Sequence, residues 1–299
     1  MAKWPNAFLV GAGKAGTTAL FYYLERHPEI FLPALKEINF FAVEGQPAFP
    51  DVGAIRVNER TVWKEQEYLD LFADWKDEKI AFDCSPSYLY YPDAARRIHA
   101  ANPDARIVII LRQPAERAFS AYLHSARGGS ETAKTFEDAL NNEQANIERG
   151  YWFHSHYRAT SDYLTQIKPY YDLFPAEQIH VIEYQDYLDN QGECLTRLYD
   201  FLGVERIPFE KKLEMGVSGK VRNRWVADAL FKSTGLRRML RPLVPVRQRR
   251  AVMVSLQKAV LKKDTIAPAT RQMLTDEFAK DFAEIERLTG IDTSGWRTR

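Results

Sequence analysis

Residues Asn6–Leu24 read NAFLVGAGKAGTTALFYYL, and this stretch decides how the chain is read. Ala7–Val10 is a short apolar run. Gly11, Gly13 and Gly16 follow with Lys14 among them, and then come Thr17, Thr18 and the helical apolar spacing of Leu20, Phe21 and Leu24. The order is strand, glycine-rich turn, helix start. Such a turn leaves backbone N–H groups unpaired at a helix N-terminus, where they and the helix dipole favour an anion. The candidate anion cradle is therefore Gly13, Lys14, Ala15, Gly16, Thr17 and Thr18, with Lys14 as a mobile charge and the threonine hydroxyls as donors.

Gly11 and Gly16 have the glycine spacing of the GxxxxGK[ST] phosphate loop, but Thr17 stands where that motif has its lysine. The charge sits inside the loop instead. A loop of this shape still suits a phosphate but serves different chemistry. The competing reading is an ordinary strand–helix turn with a solvated lysine.

Working outward, Lys79–Asp83 (KIAFD) reads as a second strand ending at Ser85-Pro86-Ser87-Tyr88. Arg106–Leu111 (RIVIIL) is apolar and β-branched, as in a strand covered on both faces. Ile179–Tyr184 (IHVIEY) is a fourth strand, and Ile30–Leu32 a short fifth candidate. Between them, helices are expected over Trp63–Trp75, from Asp93 to about Ala101, and over Ala115–Ser125, Thr135–Asn146, Thr160–Leu173 and Leu195–Leu202. Residues 42–62 show no period and read as a loop. Strands alternating with helices predict an α/β fold of three layers, P-loop-like, with a central parallel sheet of about four to five strands. Residues 1–299 are expected to form one domain, with an α/β core over 1–222 and a helical C-terminal portion over 223–299 packed on it.

Arg112 ends the RIVIIL strand and Ser120 lies in the helix that follows. In open α/β sheets, ligands bind outside the carboxyl ends of the strands, so Arg112 faces the same edge as the glycine loop. An arginine can grip a phosphate with two bonds and a serine can add one. A structural Arg112–Glu116 pair is the alternative.

Composition excludes some classes. The formal net charge of the 299-residue chain is +1, which gives no case for binding nucleic acid. Its cysteines, Cys84 and Cys194, lie far apart and have no metal-ligand spacing, and no metal is expected. No signal-type segment and no apolar run long enough for a bilayer is present, so a soluble cytoplasmic protein is expected, or one separated from its anchor.

The string GAGKAGTTAL, followed by HPEI and KEINFF, resembles the 5′-phosphosulfate-binding segment of PAPS-dependent sulfotransferases. It is most similar to the branch that holds the heparan sulfate N- and O-sulfotransferases and their bacterial relatives. LRQPAERAFSAYLH is similar to the family's 3′-phosphate segment, which assigns Arg112 and Ser120 to that phosphate. The likeness covers roughly residues 7–222 in ordered segments, the later ones looser. It implies a sulfotransferase that moves the sulfuryl group of PAPS to a hydroxyl or amine of a carbohydrate or small-molecule acceptor, leaving PAP. Lys14 would stabilise the leaving phosphate and Glu37, in the KE-aromatic motif, would be the base. A solvated Glu37 paired with Lys36 is the plainer reading of those residues alone. Gly219-Lys220-Val221-Arg222 resembles a segment closing over the nucleotide, which makes Lys220 and Arg222 candidates. Ser85 and Tyr88, in an SPxY-like turn, and His154 and His156, in GYWFHSHY, are candidates for the acceptor side. The two histidines are also rivals for the base. Asn39 replaces the histidine found at the equivalent place in some heparan sulfate 3-O enzymes, which leaves the acceptor open.

Two other classes remain. Asp83 at a strand end could act as the carboxylate of a P-loop kinase or NTPase. A non-catalytic nucleotide- or glycan-binding protein on the same fold is the second. The arginines at 237, 238, 241, 247, 249 and 250 read as a solvated face, with an anionic acceptor or acidic membrane surface as the alternative.

Overall fold

The structure is a computed structural model, described here for residues 3–45, 48–51, 54–209, 220–221, 261–262 and 264–298. Strand β1 (Ala7–Gly11) leads through the glycine turn into α1 (Thr17–Leu24), and β2 (Ile30–Phe31) follows. Helices α2 (Phe40–Val43), α3 (Ile55–Arg60) and α4 (Glu65–Asp70) precede β3 (Ile80–Cys84). Next come α5 (Asp93–Ala101), β4 (Arg106–Leu111), α6 (Pro114–Gly128), α7 (Phe136–Glu148) and α8 (Tyr163–Leu173). Strand β5 (Ile179–Glu183) leads into α9 (Tyr184–Asp189) and α10 (Gln191–Leu202). A two-residue pair, β6 (Lys220–Val221) and β7 (Leu261–Lys262), precedes α11 (Pro268–Ala279), α12 (Phe282–Thr289) and α13 (Gly295–Thr298).

The main sheet has five strands in the order β2-β3-β1-β4-β5, all parallel. Strand β1 is central and buried throughout, with Ala7 opposite both Phe82 and Arg106. The order of connection reverses across it, with β3 on one side and β4 on the other, so the glycine turn leaves at the switch point. Ile107–Leu111 are fully buried, each side chain contributing about 1.5–3 kcal/mol relative to an exposed one.

Helix α6 starts cleanly because Pro114 stands in its first turn and Gln113 Oε1 accepts from Glu116 N at 2.7 Å. Gln113 also donates to Thr275 Oγ1 and to the Trp296 carbonyl, and Trp296 Nε1 donates to Glu183 Oε1. The C-terminal helices are thereby laced to the ends of β4 and β5.

Several boundaries differ from expectation. Residues 42–62 are not a plain loop: α2 forms where Phe40, Phe41, Ala42 and Val43 find cover in the core, and α3 follows buried Ala54. The helix expected over Trp63–Trp75 is only Glu65–Asp70, continued as turns. Asp93 is the first residue of α5 and Pro92 its cap. The Thr160–Leu173 helix splits into a short 3-10 turn and α8, and Lys220–Val221, expected in a loop, pairs with Leu261–Lys262, expected as helix. Two-residue strands carry too little pattern to be read from sequence.

Candidate active site

The loop from Ala12 to Gly16 is pinned to the sheet by the Ala12 N–H, which donates to the Ile110 carbonyl of β4 at 2.7 Å. Gly16 caps α1 with φ 99° and no side chain covers that end, so the first-turn N–H groups face the loop's concavity. A Cβ on Gly16 would lie 3.0 Å from the Tyr184 ring. Lys14, Glu37 and Asn39 all adopt left-handed backbone, with φ of 72°, 62° and 60°. Such positions cost a non-glycine residue on the order of 1–2 kcal/mol and gather at functional sites.

The two expected catalytic residues share one electrostatic environment. Burial first, then the charge of Arg127, lowers Lys14 to about 8, with Arg112 and Lys36 adding and Glu37 opposing. Burial pushes Glu37 upward, but Lys36, His154 and Lys14 together outweigh it and hold its carboxyl below its ordinary value. The nearby lysine decides it: Lys36 Nζ lies 3.1 Å from Glu37 Oε1 and donates to Thr18 Oγ1 at 2.7 Å. Lys36 therefore ties the carboxylate to the anion loop, a link that sequence reading treated as a solvated pair.

The turn after β3 explains how Glu37 is held. Asn39 Nδ2 donates to the Glu37 carbonyl at 2.7 Å, and Asn39 accepts from Ser87 Oγ at its side-chain oxygen. The Asn39 N–H donates to Ser85 Oγ, and Ser85 in turn donates to Asp83 Oδ1 at 2.6 Å. Tyr88 and Tyr68 hydroxyls donate to Asp83 Oδ2. Ser85 and Tyr88 are fully buried in this network, so they support the Glu37 segment and do not face an acceptor as expected. Asp83, fully buried and raised to about 6 by that burial, is enclosed by three hydroxyls and cannot serve as an open metal-binding carboxylate.

Arg112 joins the two halves of the cradle. Its Nη1 lies 3.4 Å from the Lys14 carbonyl and its guanidinium sits 5.0 Å over the Tyr184 ring. The alternative pairing is also present, with Nη2 at 3.5 Å from Glu116 Oε2, and Glu116 is shared with Arg271. Ser120 is buried on α6, and His124 and Arg127 follow it at helical spacing on one face. Arg127 Nη2 lies 3.2 Å from His124 Nδ1, and the charge of Lys14, ahead of burial, keeps His124 well below its ordinary value. Neither residue was singled out from sequence, though the i, i+4, i+7 spacing from Ser120 is a signal that could have found them.

His154 lies near Lys14 and Glu37, and burial lowers it to about 4. His156 points elsewhere: its Nδ1 is 2.9 Å from the Tyr90 hydroxyl within an aromatic layer. As a rival base it is misplaced. Lys220 lies in β6, which runs against α6, the helix of Ser120. Arg222 and the arginines at 237–250 lie outside the described residues. Among the described residues, no group of three or more His, Cys, Asp or Glu could hold a metal.

A parallel sheet with a glycine loop after its central strand and an arginine at the end of the neighbouring strand defines a three-layer, P-loop-like protein. A profile described as the sulfotransferase family matches residues 5–208, and the chain belongs to that family. The mouse protein named heparan sulfate glucosamine 3-O-sulfotransferase 3A1 is 25% identical over 207 residues, 69% of this chain and 48% of its own. The membrane-associated sulfotransferase kil1 of Dictyostelium discoideum is 23% identical over 69% of this chain and 57% of its own. The chain thus spans about half the length of these curated relatives. A crystal structure of a sulfotransferase from Alicyclobacillus acidocaldarius matches with a TM-score of 0.76 and 31% identity, over 99% of both chains.

Proposed function

We propose that the protein transfers the sulfuryl group of PAPS to a hydroxyl or amine of a carbohydrate or small-molecule acceptor and releases PAP. One observation carries this reading. The loop lysine that would face the leaving phosphate shares its surroundings with a carboxylate, while an arginine touches that loop's backbone. A doubly phosphorylated nucleotide meets this unbalanced positive field at two points, Lys14 with the α1 N-terminus and Arg112 with Ser120.

In the reaction, the acceptor's proton passes to the Glu37 carboxylate and its oxygen or nitrogen forms the new bond to sulfur. The bridging S–O bond breaks, and its electron pair stays on the 5′-phosphate facing the Lys14 ammonium. Lys36 makes the base conditional. While it pairs with Glu37, the carboxylate is a weak base. An anion at Thr18 competes for the ammonium, and the hold of Lys36 on Glu37 then weakens.

Both cysteines are buried thiols, which fits a reducing compartment, and the reading places the enzyme in the cytoplasm. The kinase alternative is disfavoured by the enclosed Asp83. A thermal-shift comparison of PAP with ATP, ADP and AMP tests the donor, since a ligand of the folded state raises the melting temperature. PAP is expected to stand apart, and equal responses to all four would overturn the assignment. Glu37→Gln is expected to lower kcat at least 100-fold with PAP affinity kept. A variant with unchanged turnover would remove Glu37 from its role.

A further inference from the structure

Behind the catalytic loop lies a cavity that the donor chemistry does not use. It has a volume of about 600 Å³ and is walled by the rings of Phe49, Tyr90, Tyr91 and Tyr151 with Pro50 and Pro92. Ile147, Arg149 and His156 also line it. That size is in the range of pockets for drug-sized ligands.

An aromatic layer connects this cavity to the reaction centre. Tyr90 stacks on Phe153 with ring centroids 5.9 Å apart. Phe153 lies against the loop, 3.3 Å from where a Cβ on Gly13 would stand. His154, the next residue, shares the environment of Lys14 and Glu37. Two stacked rings, Tyr90 and Phe153, thus separate the cavity from the glycine loop.

Tyr91 and His156 line the cavity, and the Trp152 ring stacks on Tyr91 at 5.4 Å. A cavity of this size beside the loop has room for an acceptor molecule. The lining's charge narrows what that is. Arg149 is its only described charged residue, and no acidic group faces in. A polysulfated glycan needs several cations, and an amine needs a carboxylate. Flat rings with a few scattered polar atoms suit a neutral ring system carrying hydroxyls.

Resting on the sulfotransferase reading, we propose that this cavity holds the body of the acceptor, and that the acceptor is an uncharged, ring-bearing alcohol or phenol whose hydroxyl passes the Tyr90 edge to reach Glu37. The experiment uses the full chain with 2-naphthol as probe. Calorimetry reads its binding directly, and naphthyl sulfate formation from PAPS reads its use. Ile147→Trp, which fills the cavity, is expected to weaken 2-naphthol binding and raise its KM at least tenfold, with the thermal shift by PAP unchanged. Tyr151→Ala, which removes one wall from the rim, is expected to weaken binding several-fold and serves should the first variant not fold. Unchanged KM in a folded variant would overturn the proposal, as would sulfation of a heparan sulfate oligosaccharide but not of 2-naphthol. If 2-naphthol binds and the variants abolish that binding but PAP does not stabilise the protein, the sulfotransferase reading fails. The acceptor role falls with it, while the cavity remains a ring-binding site.

Discussion

Replacing Lys14 by methionine should make the ligand-free protein more stable while destroying its use. Holding the ammonium at about 8, down from 10.5, costs the folded state on the order of 3 kcal/mol at pH 7. Methionine keeps the aliphatic stem and removes the buried charge. Because the folded value lies below the unfolded one, the unfolded chain binds more protons between about pH 8 and 10.5, and the penalty fades as pH rises through that window. The Lys14→Met gain should be about 3 kcal/mol at pH 7, or about 5–10 °C in melting temperature, and below about 1 kcal/mol at pH 10. Calorimetric melting of both proteins at the two pH values measures it. Saturating PAP should reverse the ranking at pH 7, because the anion pairs the ammonium only in the parent. A Lys14→Met protein that melts at or below the parent's temperature at pH 7, or a gap that does not change with pH, would refute the reasoning.

Lys36→Met removes the first of the charges that hold Glu37 down, so its carboxyl should move upward. Activity is lost as pH falls through the Glu37 value, and that acid limb should move upward in the pH profile of kcat/KM. Arg112→Ala should weaken PAP binding about 10- to 100-fold, the scale of charged hydrogen bonds, and flatten its salt dependence in titrations. Asn39→Ala frees the Glu37 carbonyl and strands Ser87, which should cost about 1–3 kcal/mol in denaturant unfolding and lower kcat with the KM for PAPS nearly kept.

The strand, glycine turn and helix start were legible because their parts are local. Gly11 to Thr18 carry turn, charge and helix start within a few residues, and RIVIIL can only be a covered strand. Arg112 followed from the rule that strand ends share an edge. What escaped was set by contacts distant in sequence. The inward turn of Ser85 and Tyr88 depends on Asp83, a buried carboxylate that no local pattern marks as enclosed. Lys36 reaches Thr18 across the first crossover, so its role could not be read from its neighbours. The short helix α2 forms because tertiary cover is available, not because its own sequence is periodic.

The left-handed backbone at residues 14 and 37 has an evolutionary corollary. Glycine suits such backbone without steric cost, so each codon lies under a standing pull that only turnover resists. A laboratory library screened for heat tolerance alone would drift toward glycine at both codons and yield sturdy proteins that process no substrate.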